Sequence, residues 1–258
     1  MNGRPGVDPY GRPDLYDLEY ADLVEDRAFY VSAAVDTVGQ VLELGAGTGR
    51  LTIPIAEAGQ QVVAVERAEA MRERLAVRAQ MAGVADRIDI VDGDFRSLRL
   101  GRRFASVLLP FNALHHCADE DDLAGLFATV AAHLEPGGRF LFDAYLPDWE
   151  LYARAPGRYE HRLLKVGDAM MPSWESSEWD PDTWTHHVWY HFGEGAQGTS
   201  LHLVLHMYPL ATLRSAMTDA GLTPEFDAED FEGTPLTRRS VRWVGRWTTQ
   251  RTEQKSSS

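Results

Sequence analysis

The segment VLELGAGTGRLTIPIAEAG, residues 41–59, constrains the fold of this chain more than any other stretch. A short apolar strand pattern precedes Gly45, Gly47 and Gly49, and an apolar helix pattern follows them. A glycine-rich turn between a buried strand and a helix N-terminus lets the backbone approach a ligand closely. A dinucleotide fingerprint has its third glycine one residue later, where this chain has Arg50. The segment therefore predicts a nucleotide-like ligand, but its spacing disfavours NAD.

Alternating strand and helix patterns extend this segment into a larger fold. The predicted strands are Val41–Leu44, Gln61–Glu66, Ile88–Val91, Phe104–Leu109, one following a turn at Gly137–Gly138, and two near Thr223–Ala228 and Val241–Trp247. The predicted helices are one or two within Leu15–Val35, then Arg50–Ala58, Ala68–Ala82, Asp119–Leu134 and Leu210–Ala220. Such alternation favours parallel strands covered on both faces. We therefore predict an α/β, Rossmann-like, doubly wound and mostly parallel seven-stranded sheet.

The pattern changes after the fifth predicted strand, where Trp and His become frequent and turn signals separate short alternating strands. This predicts an antiparallel β insertion. The predicted organisation is N-terminal helices and a ligand-binding core over 1–146, the insertion over 147–207, completion of the core over 208–250 and a flexible tail over 251–258.

Charge and composition exclude several classes of function. The formal net charge of −14, without a Lys/Arg-rich block, argues against nucleic-acid partners. There is no apolar run long enough to span a membrane and no secretory signal pattern, so we expect a cytoplasmic protein without a membrane partner. The single cysteine, Cys117, agrees with a reducing compartment. The sequence leaves a homodimer open.

Four segments in order resemble the class I S-adenosylmethionine (SAM)-dependent methyltransferases: VLELGAGTGRLTIPIAEAG, VVAVERAEAM, IVDGDFRSL and HLEPGGRFLFDAY. The resemblance implies SAM as the cofactor, with an acid before the glycine loop at its amino group and an acid ending the second strand at its ribose. The cofactor-binding residues that it implies are Tyr16, Glu43, Gly45, Gly47, Gly49, Glu66, Met71, Asp94, Phe95 and Phe111. Of these, Tyr16 comes from LYDLEYADL, which resembles the Tyr-Asp-x-x-Tyr opening of small-molecule members.

The acceptor side is predicted from the remaining motifs. The stretch PFNALHHCADEDD lies where the family places residues between SAM and acceptor, so His115 or His116 is a candidate catalytic base. Because adjacent side chains rarely both point inward, at most one should serve. Acceptor contacts are predicted for Asn112, Tyr145, Trp189 and His191.

The insertion resembles that of amino-sugar N-methyltransferases, and its strands can be registered by their alternation. Pairing apolar with apolar residues sets Phe192 opposite Leu201, His187 opposite His206 and His191 opposite His202. One face then collects His187, Trp189, His191, His202, Val204 and His206. This face fits an acceptor pocket, a partly solvated surface or, less readily, a zinc site, and we predict no metal.

The function predicted from these patterns is SAM-dependent methylation of a small molecule, with nitrogen as the favoured acceptor atom in specialised metabolism. O- or C-methylation of a small molecule is the first alternative. A NAD(P)-dependent oxidoreductase and a non-catalytic SAM-binding protein are the alternatives from other classes.

Overall fold

A computed structural model describes residues 7–153, 158–195 and 198–249, apart from the side chains of 158–161. The predicted tail over 251–258 lies outside the described residues. Among the described residues, no helix combines the length and apolar character needed to cross a membrane.

The described elements follow the predicted order closely. The helices are α1 (Pro13–Glu19), α2 (Arg27–Val35), α3 (Thr52–Glu57), α4 (Glu69–Met81), α5 (Glu120–His133), α6 (Trp149–Tyr152) and α7 (Leu210–Asp219). Short 3-10 turns cover Pro9–Gly11, Ala85–Arg87 and Ala113–His116. The strands are β1 (Val41–Leu44), β2 (Val62–Glu66), β3 (Ile88–Asp92), β4 (Phe104–Leu109), β5 (Leu134–Tyr145), β6 (Arg158–Val166), β7 (Ala169–Asp180), β8 (Thr185–Phe192), β9 (Thr199–His206), β10 (Leu222–Ala228) and β11 (Arg242–Thr249).

The larger sheet has seven strands in the order β10-β11-β5-β4-β1-β2-β3. Strands β1 to β5 run parallel, whereas β11 is antiparallel to both β5 and β10. From β1, the chain first adds β2 and β3 on one side and then β4 and β5 on the other. The carboxyl ends of β1 and β4 therefore flank a crevice, which is where open α/β sheets bind ligands. The predicted Rossmann-like fold class is confirmed.

The two faces of this sheet carry separate apolar cores. On one face, Leu42, Phe140 and Trp243 pack with residues of α5 and α7. On the other, Val41 and Leu141 pack with residues of α2, α3 and α4. Neighbours in sequence therefore point to opposite layers, as the pleat requires, and both faces are covered. The rigid central strands fix where the loops at their carboxyl ends begin.

The fifth strand begins earlier than predicted. We expected it to follow a turn at Gly137–Gly138, but β5 already starts at Leu134. Leu134 pairs with Phe104 and Arg139 pairs with Ser106, so the pairing shifts between these two points. The predicted turn is therefore an irregularity within the strand, with Gly137 at φ 78°.

The smaller sheet is antiparallel and has the order β6-β7-β8-β9. The N-terminal segment continues it, because the Val7 N–H donates to Ser200 O at 2.9 Å and the His202 N–H donates to Val7 O at 3.0 Å. Helix α1 joins it through Leu15, which packs against Phe192 and Leu201.

The predicted register of β8 and β9 is wrong by two residues. Leu201 lies opposite Tyr190, and Phe192 lies opposite Thr199. The predicted pairs His187–His206 and His191–His202 are therefore not formed. A slip of two residues leaves every side chain on its predicted face, so alternation alone cannot detect it. In the structure, Phe192 at the end of β8 pairs directly with Thr199 at the start of β9, and this pairing sets the register.

Candidate functional site

One cavity of about 720 Å³ collects the residues that follow the central strands. Gly45 and Gly47 follow β1, Glu66 ends β2, Asp94 follows β3 and Phe111 follows β4. The N-terminal segment, α1 and the smaller sheet form its other walls. The volume falls within the range of roughly 300–1,000 Å³ that is usual for small-molecule sites.

The glycine loop is held by the end of β2. The N–H groups of Gly45 and Ala46 donate to Val65 O at 2.8 and 3.0 Å. The Glu66 carboxylate accepts from Gly47 N at 3.0 Å and from Ala68 N at 2.8 Å. Each carboxylate oxygen has two lone pairs, so Glu66 keeps acceptor capacity towards the cavity. The arrangement suits a ligand with hydroxyl donors at this position.

Glu43 lies beneath the same loop and is buried. Its Oε2 accepts a hydrogen bond from Thr52 Oγ1 at 2.6 Å. Burial raises the pKa of Glu43 to about 7, while the Thr52 hydrogen bond and the Arg50 charge oppose that shift. A cation in the cavity would favour the ionised form.

Asp94 and Phe95 line the cavity beyond β3. Arg96 holds both Asp94 oxygens, with Nε to Oδ1 at 2.9 Å and Nη2 to Oδ2 at 2.6 Å. The hydrogen bond from Arg96 lowers the pKa of Asp94. Asp94 is thus a fixed carboxylate whose orientation is set by its neighbour.

The structure corrects two predicted cofactor contacts, because neither Gly49 nor Met71 lines the cavity. A Cβ on Gly49 would meet Leu75 Cδ1 at 2.2 Å, so this glycine is needed for packing of the loop against α4. Met71 is fully buried within α4. Arg67 and Ala68, at the start of that helix, line the cavity instead.

The adjacent histidines of the 3-10 turn after β4 point apart. His115 is fully buried and does not line the cavity. Its ring nitrogens each lie 2.9 Å from a carbonyl oxygen, those of His206 and Tyr145. Burial outweighs these two contacts and lowers the pKa of His115 to about 4. The prediction of a catalytic role for His115 is corrected to a structural one.

His116 lines the cavity. Its Nε2 lies 2.7 Å from the Tyr10 hydroxyl, and burial lowers the pKa of the imidazole to about 4. Burial also raises the pKa of Tyr10. Both groups are therefore neutral at pH 7, and a hydrogen bond joins the phenol oxygen to Nε2 of the imidazole. Sequence reasoning missed Tyr10, which lies 106 residues away in the chain.

Phe111 and Asn112 adopt a left-handed backbone, with φ of 55° and 59°. The Phe111 N–H donates to Asp143 Oδ1 at 2.7 Å, and Asn112 Oδ1 accepts from Tyr145 N at 2.6 Å. Phe111, Asn112 and Tyr145 all line the cavity. Strained backbone that is held by such hydrogen bonds is common where side chains must be positioned at a site.

A wall of aromatic rings separates the loop from the smaller sheet. The ring centroid of Tyr20 lies 4.8 Å from those of Tyr16 and Phe111, and 5.9 Å from that of Tyr190. Tyr16 was predicted, whereas Tyr190 was placed only by its strand alternation. The packing of the smaller sheet over the core places this face of β8, and with it Tyr190, against the cavity.

Arg50, directly after the loop, also lines the cavity. Its guanidinium meets Asp26 through two contacts of 2.6 Å and lies 5.2 Å from the Phe111 ring centroid. Sequence reasoning used Arg50 only to reject a dinucleotide fingerprint. A partly buried guanidinium that is held beside the loop suits a carboxylate on the ligand.

The predicted acceptor contacts Trp189 and His191 lie on the face of β8 that points away from the cavity. The cavity is lined by their neighbours His186, Val188 and Tyr190. On the outer face, Trp189 stacks on His202 at 4.6 Å, and His187 Nδ1 lies 3.1 Å from His202 Nε2. On this outer face, the rings of His187, Trp189 and His202 therefore contact one another. Among the described residues, no group of three or more His, Cys, Asp or Glu side chains is arranged to hold a metal.

Comparison with known proteins identifies the family. A family profile described as "Methyltransferase domain" matches residues 41–138. An uncharacterized methyltransferase of Geobacillus thermodenitrificans is 32% identical over 154 residues, which cover 56% of this chain and 68% of that protein. A methyltransferase of Geobacillus kaustophilus, also 32% identical, is covered over 63% of its length and this chain over 54%. The chain thus spans less than two thirds of some of the curated relatives that it matches.

Two further similarities extend over the smaller sheet. The dTDP-3-amino-3,4,6-trideoxy-alpha-D-glucopyranose N,N-dimethyltransferase of Streptomyces venezuelae is 26% identical over 87% of this chain and 94% of its own. The CcbJ methyltransferase of Streptomyces caelestis has a structure similar to this one, with a TM-score of 0.80 and 27% identity, over 94% of this chain and 98% of its own. The fold, the glycine loop with its acidic partners and these similarities agree, and the chain belongs to the SAM-dependent methyltransferase family.

Proposed function

We propose that this chain transfers the methyl group of SAM to an amine nitrogen of a small molecule. The observation that carries the proposal is the neutral His116–Tyr10 pair in the wall of the same cavity that contains the glycine loop.

The residues around the loop fit SAM. A side chain at Gly47 would project towards Tyr16, with its Cβ 3.9 Å from the hydroxyl, so glycine keeps this space open. Glu43 would hold the amino group, Arg50 the carboxylate and Glu66 the ribose hydroxyls. Asp94 and Phe95 would border the adenine, with Tyr16 and Phe111 beside the sulfonium.

SAM supplies an activated methyl group with a good leaving group, so the protein mainly has to align the acceptor and exclude water. The aromatic wall and the apolar side chains on the inner face of the smaller sheet help to exclude water. We assign the β insertion, residues 147–207, as the acceptor lid over the core. Asn112 and Tyr145 would contact the acceptor from the core side.

The His116–Tyr10 pair favours nitrogen over oxygen. A neutral amine already carries the attacking lone pair and loses its proton only after the new bond forms. An alcohol needs a stronger base earlier, and the low pKa of His116 makes the imidazole a weak base. The phenol oxygen of Tyr10 would accept the amine N–H while its own proton is donated to His116. The amino-sugar N,N-dimethyltransferase of Streptomyces venezuelae, similar over most of this chain, supports nitrogen.

The first test is binding and turnover. SAM and its demethylated product S-adenosylhomocysteine (SAH) should each raise the melting temperature, because both bind the folded state, and NADH should not. Mass spectrometry of small amines incubated with SAM should detect N-methyl products. A rise in melting temperature with NADH but not with SAM or SAH would refute the proposal. O- or C-methyl products would show that the protein methylates oxygen or carbon instead of nitrogen.

The second test addresses the pair itself. His116→Ala should lower kcat about ten-fold or more, because Tyr10 loses the partner that orients its phenol oxygen towards the acceptor amine. His115→Ala is the comparison, since that ring lies outside the cavity and should lower the melting temperature instead. SAH affinity should stay within a factor of about two for His116→Ala. Equal turnover of His116→Ala and the unaltered protein would exclude the pair from the reaction.

A further inference from the structure

An ion pair closes the cavity between α1 and the smaller sheet. Glu19 is the last residue of α1, Arg162 lies on β6, and both line the cavity. Glu19 Oε1 accepts from Arg162 Nη2. The Glu19 side chain is only 4% exposed, whereas that of Arg162 is 38% exposed. A carboxylate is thus buried in the cavity wall between α1 and the smaller sheet.

This ion pair is incompletely satisfied. Glu19 Oε2 and Arg162 Nε are both buried, and neither has a hydrogen-bond partner in the described part of the chain. Buried polar atoms in folded proteins nearly always have partners, so an orphaned pair at a cavity wall indicates a place for a ligand group. The two atoms belong to the two members of one ion pair, in which Arg162 Nη2 contacts Glu19 Oε1.

The chemistry of the two atoms identifies that group. The ionised carboxylate oxygen can only accept a hydrogen bond, and the guanidinium Nε–H can only donate one. An ammonium would satisfy Glu19 alone, and a phosphate or carboxylate would satisfy Arg162 alone. A hydroxyl both donates and accepts, and therefore satisfies both atoms at once.

The surroundings favour a ring. Glu175 lines the same wall on β7. The rings of Tyr20, next to Glu19, and Tyr190, paired with Glu175 across the strands, lie 5.9 Å apart and also line the cavity. Flat aromatic faces beside polar anchors suit a small hydroxylated ring.

We propose that the Glu19–Arg162 pair binds a hydroxyl of the acceptor, and that the acceptor is a hydroxylated amine without a phosphate at this position. This inference rests on the proposed function for the identity of the reacting nitrogen. The recognition of a hydroxyl is an equilibrium property that binding measurements detect without turnover.

The test compares two probes on the full chain saturated with SAH. Cyclohexylamine and 3-amino-3-deoxy-D-glucose both present a ring amine, but only the second carries hydroxyls. Ligand-observed NMR or calorimetry should show the amino sugar binding about ten-fold or more tightly, since hydrogen bonds to charged groups contribute on this scale. Equal affinities, including the case in which neither probe binds, would overturn the proposal.

Substitutions of Glu19 and Arg162 test whether this pair binds the hydroxyl group. The double variant Glu19→Met with Arg162→Met removes both charges together, which buried ion pairs often tolerate without loss of folding. It should bring the preference for the amino sugar below about three-fold while SAH affinity is unchanged. Arg162→Lys keeps the charge but removes Nε, and should lower the preference by a smaller factor. Asp14→Asn, also on α1 but with an exposed side chain, is the matched control and should keep the full preference.

The outcomes separate this inference from the proposed function. A hydroxyl preference that survives in the double variant would refute the Glu19–Arg162 site even if the amine is methylated. A preference that depends on the pair, together with failure to methylate any amine, would support the site and refute N-methylation. Loss of SAH binding in the unaltered protein would instead refute the proposed function at its first step.

Discussion

Among single residues, Gly47 and Gly49 differ in what an added side chain would meet. Both have a left-handed backbone, with φ of 57° and 86°. A Cβ on Gly49 would overlap Leu75 Cδ1 at 2.2 Å, whereas the nearest atom to a Cβ on Gly47 is the Tyr16 hydroxyl at 3.9 Å. A side chain at Gly47 would therefore enter the cavity, whereas one at Gly49 would disrupt packing against α4.

Substituting each glycine by alanine should separate the two roles. Gly49→Ala should lower the free energy of unfolding by about 1–3 kcal/mol through strain and overlap, and SAH affinity of the folded protein should change little. Gly47→Ala should weaken SAH about ten-fold, because the methyl group occupies the ligand's approach, with a smaller loss of stability. Thermal denaturation and calorimetry measure both quantities. A larger loss of SAH affinity for Gly49→Ala would reverse the assignment.

At the scale of elements, strand β8 divides its side chains between two environments. His186, Val188 and Tyr190 line the cavity, whereas the intervening His187 and Trp189 form the stacked outer face. The strand therefore separates side chains that line the cavity from side chains that pack on the surface, at a spacing of one residue.

Neighbouring histidines of β8 make a matched pair of substitutions. His186→Ala should lower kcat/KM for the acceptor roughly ten-fold or more, the scale of a lost positioning contact. His187→Ala should leave kcat/KM within a factor of about two, because the ring faces away from the cavity. Steady-state kinetics with an N-methylated amine product would measure both. If His187→Ala proved the more harmful, the outer face would have to be part of the acceptor site.

On the scale of the whole molecule, buried histidines and buried carboxyl groups change the free energy of unfolding in opposite directions as the pH falls. Burial lowers the pKa of His115, His116 and His186 to about 4. The unfolded chain then binds more protons between about pH 4 and 6.5, so these groups reduce the free energy of unfolding as the pH falls through that window. Burial raises the pKa of Glu43 to about 7 and of Asp143 to about 6. These carboxyl groups stabilise the fold at low pH, and that contribution is lost as the pH rises through their folded pKa values.

Glu43→Gln tests how the buried Glu43 carboxyl group contributes to the pH dependence of stability. The variant carries no ionisable group at this position, so its stability relative to the unaltered protein should increase as the pH rises from about 5 to 8. The full effect is about 3 kcal/mol, which is the difference between folded and unfolded pKa values expressed as free energy. Urea denaturation at each pH measures it in the absence of SAM. A constant difference across this range would show that Glu43 titrates at an ordinary pKa.

Much of the central fold could be predicted from the sequence because its information is local. The alternation of short apolar strands with amphipathic helices specified the order of the elements, and β4 has the predicted bounds. The glycine loop and the acid ending β2 were found because residues at the carboxyl ends of neighbouring parallel strands must meet at one edge. The placement of Gly45, Gly47, Glu43 and Glu66 follows from these two facts.

What the sequence by itself determined is therefore the element order, the fold class, the faces of β8 and β9, and the edge of the sheet where the site lies. Only the tertiary structure decided their register, because a slip of two residues preserves every face. It also decided which face of β8 meets the cavity and which of His115 and His116 points inward. Pairs such as Tyr10–His116 and Glu19–Arg162 are distant in the chain, and no local pattern encodes them, because they exist only after the N-terminal segment, the core and the smaller sheet have packed together.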